Sequence, residues 1–343
     1  MNHNNRNLSR RGFIKLAAGG AALAAAGPFG SALAQTGNNK FIFFLPFDLI
    51  AEFVFELNAA VGGHFKAQGL DIDVMNARGT SIAIQQLVGG RVSFAEMGGL
   101  DMMKAIVSQS VPMVSIATVA QAGIFDVVSL KSAPIRTPND MRGKTIGVLS
   151  IGGGTENMLD LMLTSGGIPV KEVTRQPVGG TLGSVELLKQ GKVHAFITTS
   201  ETVVAMHRAG EPIDAWNVEK YAPIPGQIYA VTKKFMEQNP RPITLFLKAM
   251  KASHEEVMRS DPNTILDRIE KRYELVGGKD RGYMVDALKM HIQLNLAQGK
   301  ENLLRNVPSL WKRGADLFAA AGFATLNAES LYTNRFIDEA YRS

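Results

Sequence analysis

Between residues 41 and 232, short runs of β-branched and aromatic residues alternate with longer stretches in which apolar positions recur at helical spacing. That alternation predicts an α/β protein. Strands are expected at residues 41–45, 70–75, 92–95, 114–119, 126–130, 145–149, 193–198 and 228–232. Pro46 stops the first strand, and Asp48 is placed to cap a helix carrying Ile50, Phe53, Val54 and Leu57. Further helices are expected to open at Gly79-Thr80-Ser81, Asp101, Thr155, Leu182 and Ser200. Gly89-Gly90 ends the helix that opens at Gly79-Thr80-Ser81. From Arg241 onward the pattern is helical, with no clear strand.

One module is used twice. The run Leu87-Val88-Gly89-Gly90-Arg91-Val92-Ser93-Phe94 is echoed by Leu187-Leu188-Lys189-Gln190-Gly191-Lys192-Val193-His194-Ala195-Phe196. Each stands at the end of a strand–loop–helix series. The expected layout is a first lobe over 35–130, a second over 131–226, and a mostly helical return to the first over 227–343. Connectors near residues 125–131 and 222–232 provide two crossovers.

The N-terminal residues change the picture. Ser9-Arg10-Arg11-Gly12-Phe13-Ile14-Lys15 resembles the recognition sequence of bacterial twin-arginine export signals. A mildly apolar, Ala-rich run at 16–27 follows, then the small-residue site Ala32-Leu33-Ala34. This is the order of an export signal, and the run is too short for a bilayer span. Residues 1–34 are therefore expected to direct the chain to the periplasm by the twin-arginine route. Cleavage after Ala34 leaves 309 of the 343 residues. Removing Arg6, Arg10, Arg11 and Lys15 reduces the formal charge from +6 to +2. Nucleic acid is therefore not expected as a partner. The chain has no Cys. That excludes a thiol nucleophile, a Cys-held iron–sulfur cluster and a structural Cys-zinc site.

Three segments resemble periplasmic substrate-binding proteins of ABC importers, in the class for sulfonates, nitrate, taurine and thiamine-precursor pyrimidines. They begin Gly63-His64-Phe65, Ile84-Gln85-Gln86 and Thr137-Pro138-Asn139, and continue through Val74, Ala95 and Val148. The resemblance runs over roughly residues 41–258. It implies a type II periplasmic-binding-protein fold, two α/β lobes joined by two crossovers. The implied role is to hold a small molecule between the lobes and deliver it to an ABC permease and its ATPase, as a monomer. The chain departs from the class in carrying His194 before Ala-Phe, where many relatives have an acid. It also has Thr198-Thr199-Ser200-Glu201-Thr202 where sulfonate-type relatives often have Trp-Glu-Pro. Those differences leave the ligand open. A TRAP-type solute-binding protein, a ligand sensor and an exported enzyme on the same fold are the alternatives.

In such a fold the ligand contacts loops after strand ends, where helix-initial N–H groups lack partners. The loop containing Gly153, Gly154 and Thr155 meets this need best; the plainer reading is a flexible loop with Thr155 as a cap. Gly79 and Thr80, and Met97 and Gly98, are the corresponding loops of the first lobe, with turn chemistry as the alternative. Phe47 can cover a ligand and Asp48 accept from it, unless Asp48 is only a cap. Phe125 and Tyr229 stand at the crossovers, and Ser200 and Glu201 open a helix after a second-lobe strand. Acids recur at these loops: Asp48, Glu96, Asp101, Glu156 and Glu201. Two or more facing the cleft would favour an aminated heteroaromatic over a small organic acid or sulfonate. Arg78 is a nearby cation expected at the surface.

No catalytic constellation is legible. There is no His-Glu-x-x-His, no Gly-x-Ser-x-Gly, and no metal-ligand spacing among the histidines. Gly143-Lys144-Thr145 lacks the first glycine of a phosphate loop. A non-enzyme without cofactor or metal is expected; a lysine-based pyridoxal enzyme is the form an enzyme reading would take.

Overall fold

A computed structural model describes residues 40–77, 79–179 and 182–342. The expected export signal and Arg78 lie outside the described residues. Among the described residues ten strands follow one another: β1 (Lys40–Leu45), β2 (Asp71–Asn76), β3 (Phe94–Gly98), β4 (Met113–Thr118), β5 (Phe125–Leu130), β6 (Thr145–Val148), β7 (Thr174–Pro177), β8 (Ala195–Thr199), β9 (Ile213–Asn217) and β10 (Gln227–Thr232). They form two five-stranded sheets with one plan, β2-β1-β3-β10-β4 and β7-β6-β8-β5-β9. In each, three parallel strands are followed by one antiparallel strand that arrives from the other lobe. The echo between residues 87–94 and 187–196 thus marks the third parallel strand of each sheet.

Strand β5 corrects the expected boundary. It pairs with β8 and β9, so it belongs to the second sheet, and the outward crossover is residues 119–124. The return crossover is residues 218–226, ahead of β10.

The first lobe folds around aromatic side chains. Strand β1 turns Phe41, Phe43 and Leu45 fully inward and leaves Ile42 and Phe44, on its other face, half-buried. Phe246, from the helix Pro240–Arg259, stacks on Phe94 at 4.1 Å and meets Phe43 edge-on at 5.2 Å. Fully burying a side chain of this size contributes roughly 1.5–3 kcal/mol.

The helical C-terminal region touches both lobes. The helix Arg281–Asn295 packs on the 3-10 turn Ala51–Phe53 and also on the second-lobe helix Ser200–Arg208. The helix Pro308–Ala320 packs on the second-lobe helix Gly154–Ser165. Its Trp311 is fully buried and donates Nε1–H to Thr118 Oγ1 at 3.1 Å on β4. Among the described residues no helix is long and apolar enough to cross a membrane.

Candidate functional site

The strand C-termini of both sheets open onto one cavity of about 340 Å³, within the usual range for small-molecule sites. From the first lobe come Phe47 and Ile50 after β1, then Glu52, Thr80 and residues 98–101. From the second come Gly123, Ile124, Phe125, Leu149, Gly154, Met158 and Thr199, and the return crossover adds residues 224–227.

Each wall has a local cause. Pro46 ends β1 and the chain turns, leaving Phe47 at the mouth, 36% exposed and tilted against Phe53 at 5.7 Å. Gly98 ends β3, and the helix Gly99–Gln109 starts at the cavity wall. Gly99 donates its N–H to Gly226 O at 2.8 Å. A Cβ at Gly99 would lie 2.6 Å from Pro225 O, so no larger residue fits under the return crossover. Across the cleft the helix Gly154–Ser165 begins with its N-terminus at the cavity, and Phe125 Cζ lies 3.8 Å from where a Gly154 Cβ would stand.

The polar floor is made by two elements in matching register. Gln227 and Tyr229 lie two apart on one face of β10. Glu52 and Glu56 lie four apart on the helical segment above it. Both spacings are roughly 6–7 Å. Gln227 Nε2–H donates to Glu52 Oε1 at 2.7 Å, and the Tyr229 hydroxyl donates to Glu56 Oε1. Glu96 on β3 pairs in register with Tyr229 and is buried beside them. Gln227 Oε1, Glu56 Oε2 and Glu96 Oε2 are buried without a hydrogen-bond partner.

Burial controls the charge here. It pushes the Glu56 carboxyl up to about 8, against the bond from Tyr229. It pushes Glu96 well above the carboxylate range, with the Glu56 and Glu52 charges adding. Glu52 is raised by burial, with His291 opposing. Asp101 is raised by burial, with Lys104 opposing. Among the described residues, those that line the cavity include the carboxyls of Glu52 and Asp101 and no Lys, Arg or His. Among the described residues no three His, Asp or Glu side chains are grouped to hold a metal ion.

The structure brings Phe47, Thr80, Gly98, Phe125 and Gly154 onto this cavity. Gly79 and Gly153 line a shallower depression beside it, which shares Thr80, Asp101 and Gly154. The other expected positions lie elsewhere. Asp48 is exposed and off the cavity, and the turn it was expected to cap starts after Ile50 with no side-chain cap. Met97 is fully buried because its side chain points into the core beneath β3. Thr155 is buried, its Oγ1 accepting from Leu149 N–H at 2.9 Å, which ties the glycine loop to β6. Ser200 is buried beside Asn217. Glu201 is turned away toward Tyr283 and His291. Tyr229 is one strand repeat deeper than Gln227 and so lies in the core. Of the five acids noted from the sequence, Asp101 lines the cavity; Glu52 was not among them. Its signal was present: Glu52 and Glu56 are acids four apart within an otherwise apolar segment, the mark of carboxyls facing inward.

Comparison with known proteins followed the same outline. The profile of the family described as NMT1/THI5 like matches residues 51–264. The chain is 25% identical to a formylaminopyrimidine-binding protein of Halalkalibacterium halodurans over 57% of this chain and 60% of that protein, so the match spans about three fifths of that relative. It is 21% identical to the riboflavin-binding protein RibY of Chloroflexus aurantiacus over 81% of this chain and 80% of that one. Among solved structures, the periplasmic sulfonate-binding protein SsuA of Methylobacillus flagellatus superposes with a TM-score of 0.64 at 16% identity, covering 88% of this chain and 94% of the other. That likeness establishes the periplasmic-binding-protein fold.

Proposed function

The chain belongs to the NMT1/THI5-like family, and we propose that it is the solute-binding component of an ABC importer, working in the periplasm after export through its twin-arginine signal. It holds one small molecule between its lobes and presents the closed form to a membrane permease driven by an ATPase. It acts as a monomer and does no chemistry on its ligand; both curated relatives are named as binding proteins.

The observation that carries the ligand class is the pairing of an apolar cavity with acceptor groups. Glu52 and Gln227 stand on the floor and Asp101 on the wall, and no Lys, Arg or His is among the described residues that line the cavity with them. An anionic sulfonate or nitrate would meet two carboxyl groups in a dry site with no cation among the described lining residues to pair with it. An aminated heteroaromatic supplies N–H donors to those acceptors and a flat apolar face to Phe47 and Phe125. The N-terminus of the helix Gly154–Ser165 favours a ligand carbonyl on the opposite side. The formylaminopyrimidine named for one relative has this chemistry.

A thermal-shift panel of aminopyrimidines, flavins, alkanesulfonates and nitrate tests the reading. A ligand at a hundred times its dissociation constant adds about 2.7 kcal/mol of stability. We expect aminated heteroaromatics to raise the melting temperature by several degrees and sulfonates to leave it unchanged. Stabilisation by sulfonate or nitrate alone overturns the ligand class, and no response from folded, ligand-free protein overturns the binding role.

A further inference from the structure

Glu201 was expected at the ligand and instead spans the lobes. It stands in the first turn of the helix Ser200–Arg208, which packs on β5, β8 and β9 of the second lobe. Its carboxylate enters a socket built wholly by the first lobe. The Tyr283 hydroxyl donates to Oε1 at 2.7 Å and His291 Nε2–H donates to Oε2 at 2.8 Å, both from the helix that packs on the turn Ala51–Phe53. Both Glu201 and His291 have side chains only 6% exposed. Ala51 precedes Glu52 on the cavity floor. At the outer end of the same helix pair, Arg208 bonds Asp286 at 2.7 Å and Asp280 at 3.1 Å in solvent.

We propose that Glu201 is a positioning residue that couples lobe closure to the ligand cavity: carried on the second lobe, its carboxylate docks against Tyr283 and His291 of the first, holding the lobes together and, through the helix that packs on the turn bearing it, Glu52 in place. Withdrawing the second lobe breaks both bonds at once and leaves a carboxylate and an imidazolium without partners. The Arg208 pairs are exposed and screened, so they guide closure more than they hold it.

The dock depends on pH in a definite sense. Burial by itself would raise Glu201, but the bond and charge of His291, with the bond from Tyr283, hold it below the carboxylate range. Burial by itself would lower His291, but the Glu201 bond and charge, with the Glu52 and Glu56 charges, raise it above the ordinary histidine value. The pair is thus fully charged from mild acid up to the histidine range. It weakens as pH rises through the raised His291 value, and again as pH falls through the lowered Glu201 value.

The absence of cysteine makes the test clean. Ser81→Cys on the first lobe and Ile151→Cys on the second, both exposed at the cleft mouth, take spin labels whose separation is read by pulsed electron resonance without ligand. The labelled parent is expected to give one short distance at pH 7. Glu201→Gln in this background is expected to shift the open-to-closed ratio by about tenfold or more, the effect of losing hydrogen bonds to a charge. The parent is expected to gain the long distance as pH rises above the histidine range, while Glu201→Gln does not respond. Should Glu201→Gln fold poorly, Tyr283→Phe removes one donor without stranding a charge and is expected to produce a smaller long-distance fraction. Folded variants with the parent's distance distribution and pH response overturn the proposal. Glu201's effect on ligand affinity rests on the binding reading above; its effect on lobe separation does not, so the two fail separately.

Discussion

Gly226 sits where the two crossovers run against each other, and replacing it with alanine should pry them apart. Its N–H donates to Ala120 O at 3.0 Å, and its own carbonyl accepts from Gly99 N–H at 2.8 Å. An added Cβ would lie 2.4 Å from Ala122 O and 2.9 Å from both Ala120 O and Ala120 Cβ. Ordinary contact begins near 3.4 Å, so the methyl is short by about 1 Å against backbone, which cannot rotate away as a side chain can. Overpacking of this kind costs about 1–3 kcal/mol. The lower unfolded-state entropy of alanine returns about 0.4–1 kcal/mol. At about 2–4 °C per kcal/mol the melting temperature should fall by several degrees. Residues 224–227 line the cavity, so affinity for any hit from the thermal-shift panel should fall as well. Gly210→Ala is the control. Gly210 has a left-handed backbone at φ 72° and nothing within 4 Å of its Cβ direction, so it should lose stability through strain alone and keep its affinity. Scanning calorimetry and titration calorimetry on both variants decide the matter. A Gly226→Ala protein that melts and binds like the parent refutes the claim that the crossovers are packed to the limit.

Other consequences can be checked as directly. Glu52→Gln keeps the side chain's shape but replaces a carboxyl oxygen on the floor with an amide donor. Affinity for an aminated ligand should fall about 10- to 100-fold by titration calorimetry, and unchanged affinity places the ligand elsewhere. His254 is buried against Phe55 at 4.4 Å, its Nδ1–H on Met250 O at 2.9 Å and its Nε2 unpartnered. Burial lowers its pKa to about 4, so the unfolded chain takes up a proton below the ordinary 6.5 while the folded one does not. Stability should therefore drop between those values by an amount on the order of 3 kcal/mol. His254→Leu should flatten that part of the urea-unfolding profile, and a profile as steep as the parent's contradicts the assignment.

Much of the architecture was legible because its strands are apolar and their ends are marked. Residues 41–45 and 228–232 announce themselves by aromatic and β-branched content, and Pro46 fixes where the chain turns. The strands missed were β7 and β9. Both are edge strands of the second sheet, with half-buried or exposed side chains at most positions. Their sequences, Thr-Arg-Gln-Pro and Ile-Asp-Ala-Trp-Asn, carry no apolar alternation because only one side of each has a neighbour. The placement of β5 was missed for a different reason: it is apolar enough for either lobe, and only its partners β8 and β9 assign it.

The site was legible by loop more than by residue. The small-residue loops do converge, since Thr80, Gly98 and Gly154 share one cavity. Which side chain beside a loop faces inward depends on strand parity and helix phase, and one step reverses the answer. Met97 and Gly98 are consecutive, yet the cavity receives Gly98 and the core Met97. Glu201 was noticed for its charge, but its target, His291, lies ninety residues on and no local pattern links them. The pairing of Glu52 with Gln227 joins positions 175 apart and becomes visible once β10 is known to return to the first sheet.

The most direct measurement is a crystal structure of the protein grown with the tightest ligand from the thermal-shift panel. The account predicts one ligand molecule between the sheets, its N–H groups on Glu52 and Gln227, its ring beside Phe47 and Phe125, and its far side at the start of the Gly154–Ser165 helix. Ligand bound anywhere else, or a cleft filled by the protein's own side chains with the ligand excluded, contradicts it.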